Sequence, residues 1–157
     1  EDGAEYVTDF IGTPIDYDDD TLTHVFPEPQ RLARARLTSI GLTRNRAAAV
    51  SAFAKAVCER PGIVRGNGGL HHSIEALTAV PGVGPWTAHY IAMRALGEPD
   101  AFPAGDMVLQ RAASPNGKAL TQKELEAQSE CWRPWRAYAA MHLWRTYAKT
   151  AQRAAGG

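Results

Sequence analysis

Two glycines one residue apart, Gly82 and Gly84, lie in the stretch LTAVPGVGPWTAHY (residues 77–90), between two segments of helical patterning. Without a Cβ, a turn between helices can close here more tightly than side chains permit. The exposed N–H groups of such a turn, beside the N-terminus of the next helix, make an anion site suited to a phosphate. Thr87, in the first turn of that helix, can add a hydroxyl contact. The main-chain carbonyls of Thr78, Val80 and Val83 can face the other way and hold a monovalent cation, Na+ or K+. That ion would be structural, and nothing in the pattern requires another cofactor. PGVG alone reads equally as a plain tight helix connection; WTA on an apolar helix behind it makes the anion reading more specific.

The second chemical residue is Asp106, which ends the loop segment FPAGD (102–106) and opens a helical pattern 22 residues after Gly84. Aspartate is among the best helix N-caps, and the local sequence by itself favours that role. The hairpin upstream shifts the weight to a working carboxylate at a helix end, and one side chain can do both. His71 and His72 resemble a metal pair but have no partner at ligand spacing, so they read as exposed helix-start residues. His89 and His142 read as packing residues, and Arg94 and Arg111 are either phosphate contacts or ordinary surface arginines.

Helices must position these groups. Residues 28–35 form a short one, and Thr43 can cap a longer helix running through Arg60, with Ala47, Val50, Phe53, Ala54 and Val57 at helical spacing. PG at 61–62 ends it, and RGNGG (65–69) is a flexible connector to a short helix over 73–80. A helix over 85–96 follows, with Pro85 well placed in its first turn. Residues 97–105 hold two prolines and two glycines and must be a loop, after which a helix runs from Asp106 to Ala113. Thr121 with Glu124 is a capping-box pattern opening a helix to about Cys131, and the last helix spans 135–153. No strand pattern competes, so the fold class is all-α. Residues 1–26 read as an acidic, turn-rich lead-in; a calcium loop at Asp16 to Asp20 lacks the glycine and closing glutamate of an EF-hand.

With 157 residues the chain has the size of one domain, and its 45% hydrophobic content suffices for a packed core. Seventeen basic residues balance seventeen acidic ones, so any nucleic-acid contact must be local, through a positive face or main-chain amides. Two widely separated cysteines exclude a four-cysteine zinc or iron–sulfur site within the chain. They also give no sign of a disulfide framework, which points to a reducing cytoplasm. No apolar run approaches a membrane span, so no membrane partner is expected.

Residues 77–90 resemble the helix–hairpin–helix motif of the DNA glycosylase superfamily, and FPAGD resembles the Gly/Pro loop and catalytic aspartate that follow it there. CWRPWRAYAAMHLW (131–144) resembles the closing helix of the bacterial DNA-3-methyladenine glycosylase II subgroup. The resemblance runs from about Pro27 to Tyr147 and implies a glycosylase domain over 27–157. The subgroup's amino-terminal domain and further upstream helices, which help close the bundle and wedge the duplex, are expected to lie outside this stretch.

The resemblance further implies base excision repair, with base flipping and hydrolysis of the N-glycosidic bond of alkylated purines. Asp106 would stabilise the positive charge that develops on the sugar. Trp144 would be the stacking face for the base, with Trp86 lining the same cleft and Tyr90 a third contact. Trp132 and Trp135 read as core or helix-packing residues as readily as pocket residues. Bifunctional members carry a lysine at the position of Trp86, which implies a monofunctional enzyme that leaves the strand intact. Double-stranded DNA with alkylated bases is the implied partner, and a nucleoid-associated monomer is expected. Two alternatives stay open: a non-catalytic DNA-binding module, and a glycosylase for another lesion.

Overall fold

The computed structural model describes residues 3–16, 23–66, 68–114 and 118–155. They fall into two compact units, the first comprising residues 1–63 and 79–83, the second 64–78 and 84–157.

The first unit holds helix α1 (Gly3–Ile11), the two-residue strands β1 (Thr13–Pro14) and β2 (His24–Val25), α2 (Pro29–Arg34), a 3-10 turn at Leu37–Ile40, and α3 (Arg44–Glu59). Thr43 caps α3 by accepting the Arg46 N–H, as its sequence predicts, and α2 packs along α3. Leu37 and Ala54 are buried here, where apolar area removed from water contributes about 25 cal/mol per Å2. Two expectations fail in this unit. The lead-in contains α1, and β1 pairs antiparallel with β2, Thr13 opposite Val25 and Pro14 opposite His24. Only two residues per strand pair, too few for an alternating pattern to show. The acidic run at 18–20 lies outside the described residues.

Residues 79–83 group with this unit. Gly82 has φ +86°, and a Cβ there would overlap the Ala49 side chain, so glycine is required on both counts. Val80 and Val83 are buried, and the Val83 N–H donates to the Val80 carbonyl at 3.0 Å.

The second unit comprises α4 (Gly69–Thr78), α5 (Pro85–Arg94), α6 (Met107–Ala112), α7 (Gln122–Ser129), a 3-10 turn at Glu130–Trp132, and α8 (Arg136–Ala155). α4 begins four residues before its expected start, because burial of Ser73 and Leu77 anchors a helix whose first turn enters the glycine-rich connector. The capping box of α7 forms as expected: Thr121 accepts the Glu124 N–H and Glu124 accepts the Thr121 N–H. The core is built from Phe102, Ala104, Leu109, Leu125 and Ala140, with Trp132, Leu143 and Trp144 packed against it. On α8, Ala137, Ala140 and Trp144 recur at helical spacing, and the small residues let α6 approach closely. Among the described residues no helix is long and apolar enough to cross a membrane.

Candidate active site

Asp106 is the N-cap of α6, and its Oδ1 accepts the Leu109 N–H at 2.8 Å. Its own N–H donates to Pro103 O at 2.9 Å, which continues the loop's turn into the helix. Two indoles complete the carboxylate's bonds. Trp86 Nε1 donates to Oδ2 at 2.9 Å, and Trp144 Nε1 donates to Oδ1 at 3.1 Å. Three donors from three helices therefore orient a half-buried carboxylate, each bond to an ionised acceptor stronger than a neutral one.

The ring faces are arranged around it. Trp86 and Tyr90, one turn apart on α5, stack with centroids 5.3 Å apart and planes 10° from parallel. Tyr90 meets Trp144 at 6.1 Å with planes tilted by 57°. Such aromatic pairs contribute about 0.5–1.5 kcal/mol each beyond the area they bury. Trp86 and Tyr90 remain 42% and 39% exposed, which leaves aromatic surface beside the carboxylate open to a ligand. Trp144 also lines an open, apolar-walled groove of about 870 Å3 with Trp132, Trp135, Tyr138, His142 and Arg145.

The structure thus brings together Asp106, Trp86, Tyr90 and Trp144, all within the second unit. Gly84 caps α5, its carbonyl accepting the Ala88 N–H at 2.9 Å, with Pro85 in the first turn and Thr87 half-buried just beyond. Thr78 is the last residue of α4, and its hydroxyl donates back to Ile74 O at 2.7 Å. Gly82, Val80 and Val83 belong to the first unit. His71 and His72 are exposed near the start of α4, as read from the sequence. His142 is exposed instead of packed, because α8 turns it towards the groove. Trp132 meets Phe102 edge-on at 5.8 Å, whereas Trp135 is 58% exposed. Cys58 and Cys131 are both free thiols at exposed positions. Among the described residues no group of three His, Cys, Asp or Glu side chains could hold a metal.

Two features were missed by sequence reasoning. His89 Nδ1 accepts the Phe102 N–H at 3.1 Å, and burial, then the nearby Arg136 guanidinium, hold its pKa below the ordinary 6.5, with Glu126 opposing. Arg136 grips Asp100 in a two-pronged ion pair, at 2.7 Å and 2.8 Å, and Arg133 adds a third bond at 2.6 Å. Oppositely charged residues 36 positions apart carry no local periodic signal; only the fold pairs them.

Over 135 residues the chain is 38% identical to a probable bifunctional transcriptional activator/DNA repair enzyme AlkA of Mycobacterium tuberculosis, a match covering 86% of this chain and 27% of that protein. It is 33% identical over 124 residues to DNA-3-methyladenine glycosylase 2 of Escherichia coli, covering 77% of this chain and 43% of that protein. The chain therefore spans less than half the length of these curated relatives. Among solved structures, a 3-methyladenine DNA-glycosylase from Archaeoglobus fulgidus superposes with TM-score 0.78 at 23% identity, over 93% of this chain and 51% of that one, and so shares the fold. No family model matches the chain.

Proposed function

We propose that this chain, which sequence and fold relate to the helix–hairpin–helix DNA glycosylases, carries the catalytic part of an enzyme that removes alkylated purines from duplex DNA. The observation that carries the reading is the Asp106 carboxylate, held by the indole N–H groups of Trp86 and Trp144 beside the stacked Trp86–Tyr90 pair. A pure DNA-binding module has no use for an oriented carboxylate among aromatic faces.

The chemistry follows from charge. An alkylated purine often bears a formal positive charge, and aromatic faces attract a cationic base by about 0.5–2 kcal/mol. The target nucleotide leaves the stack to reach such faces. As the C1′–N bond breaks, the base departs with the bonding electron pair and positive charge builds on the sugar. Asp106 stabilises that charge electrostatically. Water oxygen then bonds C1′ and its proton passes to the carboxylate or to solvent. Trp86 cannot form a Schiff base, so the strand stays intact and an abasic site remains. The Gly84 end of α5 and the Thr87 hydroxyl are suited to a backbone phosphate, and the structural monovalent cation that the sequence suggests at the hairpin belongs to the same reading.

The test is release of free methylated purine from alkylated duplex DNA by the native chain and by Asp106→Asn. Asparagine caps helices as well as aspartate does, so the variant should fold. The expected result is release by the native chain with strands intact until alkali treatment, and a loss on the order of 100-fold in the variant. No release, with salt-sensitive duplex binding retained, would favour the binding-module reading.

A further inference from the structure

Residues 97–105 run from the end of α5 to Asp106, and α8 holds this loop from its first turn. The Ala137 N–H donates to Pro99 O at 2.9 Å, and Arg136 binds both carboxylate oxygens of Asp100. Both partners are well covered, with side chains 11% and 17% exposed. Beyond Asp100 the chain cannot swing: Ala101, Phe102, Pro103 and Ala104 are all buried, and His89 holds the Phe102 N–H. Gln110 Nε2 closes onto Ala104 O at 3.1 Å, immediately before the N-cap.

The same helix returns to the carboxylate two turns later, through Trp144 Nε1 to Asp106 Oδ1. A mechanical ring results, running from Arg136 to Asp100, along the buried loop to Asp106, across to Trp144 and back down α8. Its two ends are side-chain contacts, Arg136 to Asp100 and Trp144 to Asp106, and the Asp100 end is reinforced by Arg133 at 2.6 Å and by the Ala137 N–H to Pro99 O bond. We propose that Arg136 and Asp100 are positioning residues for Asp106, setting the carboxylate's place relative to the Trp144 indole. This rests on the reading of Asp106 as the catalytic carboxylate. Neither residue touches the reacting atoms. Arginine is needed because its planar fork binds both carboxylate oxygens, which lysine cannot do. Glu130, which accepts from Arg133 at 2.8 Å and Arg136 at 3.3 Å, lies at the exposed rim and outside the ring.

The experiment compares the native chain with Asp100→Asn, Arg136→Lys and the control Glu130→Gln, below the melting temperature of each. The indole 1H–15N signals are recorded, with those of Trp86 and Trp144 assigned through Trp86→Phe and Trp144→Phe. In parallel, single-turnover base release and the Kd for abasic duplex are measured. The Trp144 signal should move in Asp100→Asn and Arg136→Lys and stay in place in Glu130→Gln. Base release should fall on the order of 10–100-fold in the first two, as expected for a displaced catalytic group, with Kd within about twofold. A Trp144 signal unmoved in both variants, even with a lowered Tm, makes the pair merely structural and overturns the proposal. A displaced signal with an unchanged rate overturns it too. If the native chain releases no base, the functional reading fails while the indole signal alone still decides the ring.

Discussion

Asp106 accepts from Leu109 on α6, Trp86 on α5 and Trp144 on α8, so its orientation depends on three elements at once. The two indoles serve it by their edges, which leaves their faces available for stacking. Trp144→Phe separates these functions, since it keeps an aromatic face and deletes the N–H donor. A hydrogen bond to a charged acceptor contributes about 1.5–3 kcal/mol, so single-turnover base release should fall by at least about tenfold. Trp86→Phe should fall less, because Trp86 is exposed and water can replace its donor. Equal losses in the two variants would contradict this ranking.

At the scale of elements, the helices after Thr43 were largely legible because each carries its own boundary chemistry. Thr43, Asp106 and Thr121 all cap where the sequence places them, and Pro85 stands in the first turn of α5. α1 was not legible: the stretch is short, and its one described buried side chain is Val7, so periodicity had little to show. α6 depends on Leu109, fully buried at the centre of its core, and Leu109→Ala should cost about 2–5 kcal/mol, measured by chemical denaturation. The hairpin depends on Gly82. Gly82→Ala combines a positive φ with overlap on Ala49 and should cost about 1–3 kcal/mol in the same measurement.

For the molecule as a whole, charge and pH set the expectations. Equal numbers of acidic and basic residues confine phosphate contacts to a local face or to main-chain amides, so duplex affinity should depend on salt only shallowly. Plotted as log K against log salt, the slope should match fewer than about four neutralised phosphates. Stability should respond to pH through His89. Its pKa is lowered in the folded chain, so between that value and 6.5 the unfolded chain binds a proton that the folded chain refuses. Its contribution is complete above about pH 6.5 and is lost as the pH falls through the folded pKa. Melting temperatures taken from pH 7.5 down to 5 should decline, and His89→Gln should flatten that part of the profile.

The sequence by itself determined the helical class and most helix boundaries after Thr43, and its resemblance to a known family pointed to the four residues that gather at the candidate site. It could do so because caps, tight turns and apolar periods act over a few residues, and Asp106, Trp86, Tyr90 and Trp144 stand in motifs of recognisable order. What only the tertiary structure decided is how those residues meet: both carboxylate oxygens bonded by indole edges, Trp86 stacked on Tyr90, and the loop before Asp106 held by Arg136, Asp100 and His89. Those contacts join positions as far as 38 residues apart, and side-chain pairing across that separation is set by packing, which leaves no local trace in either partner.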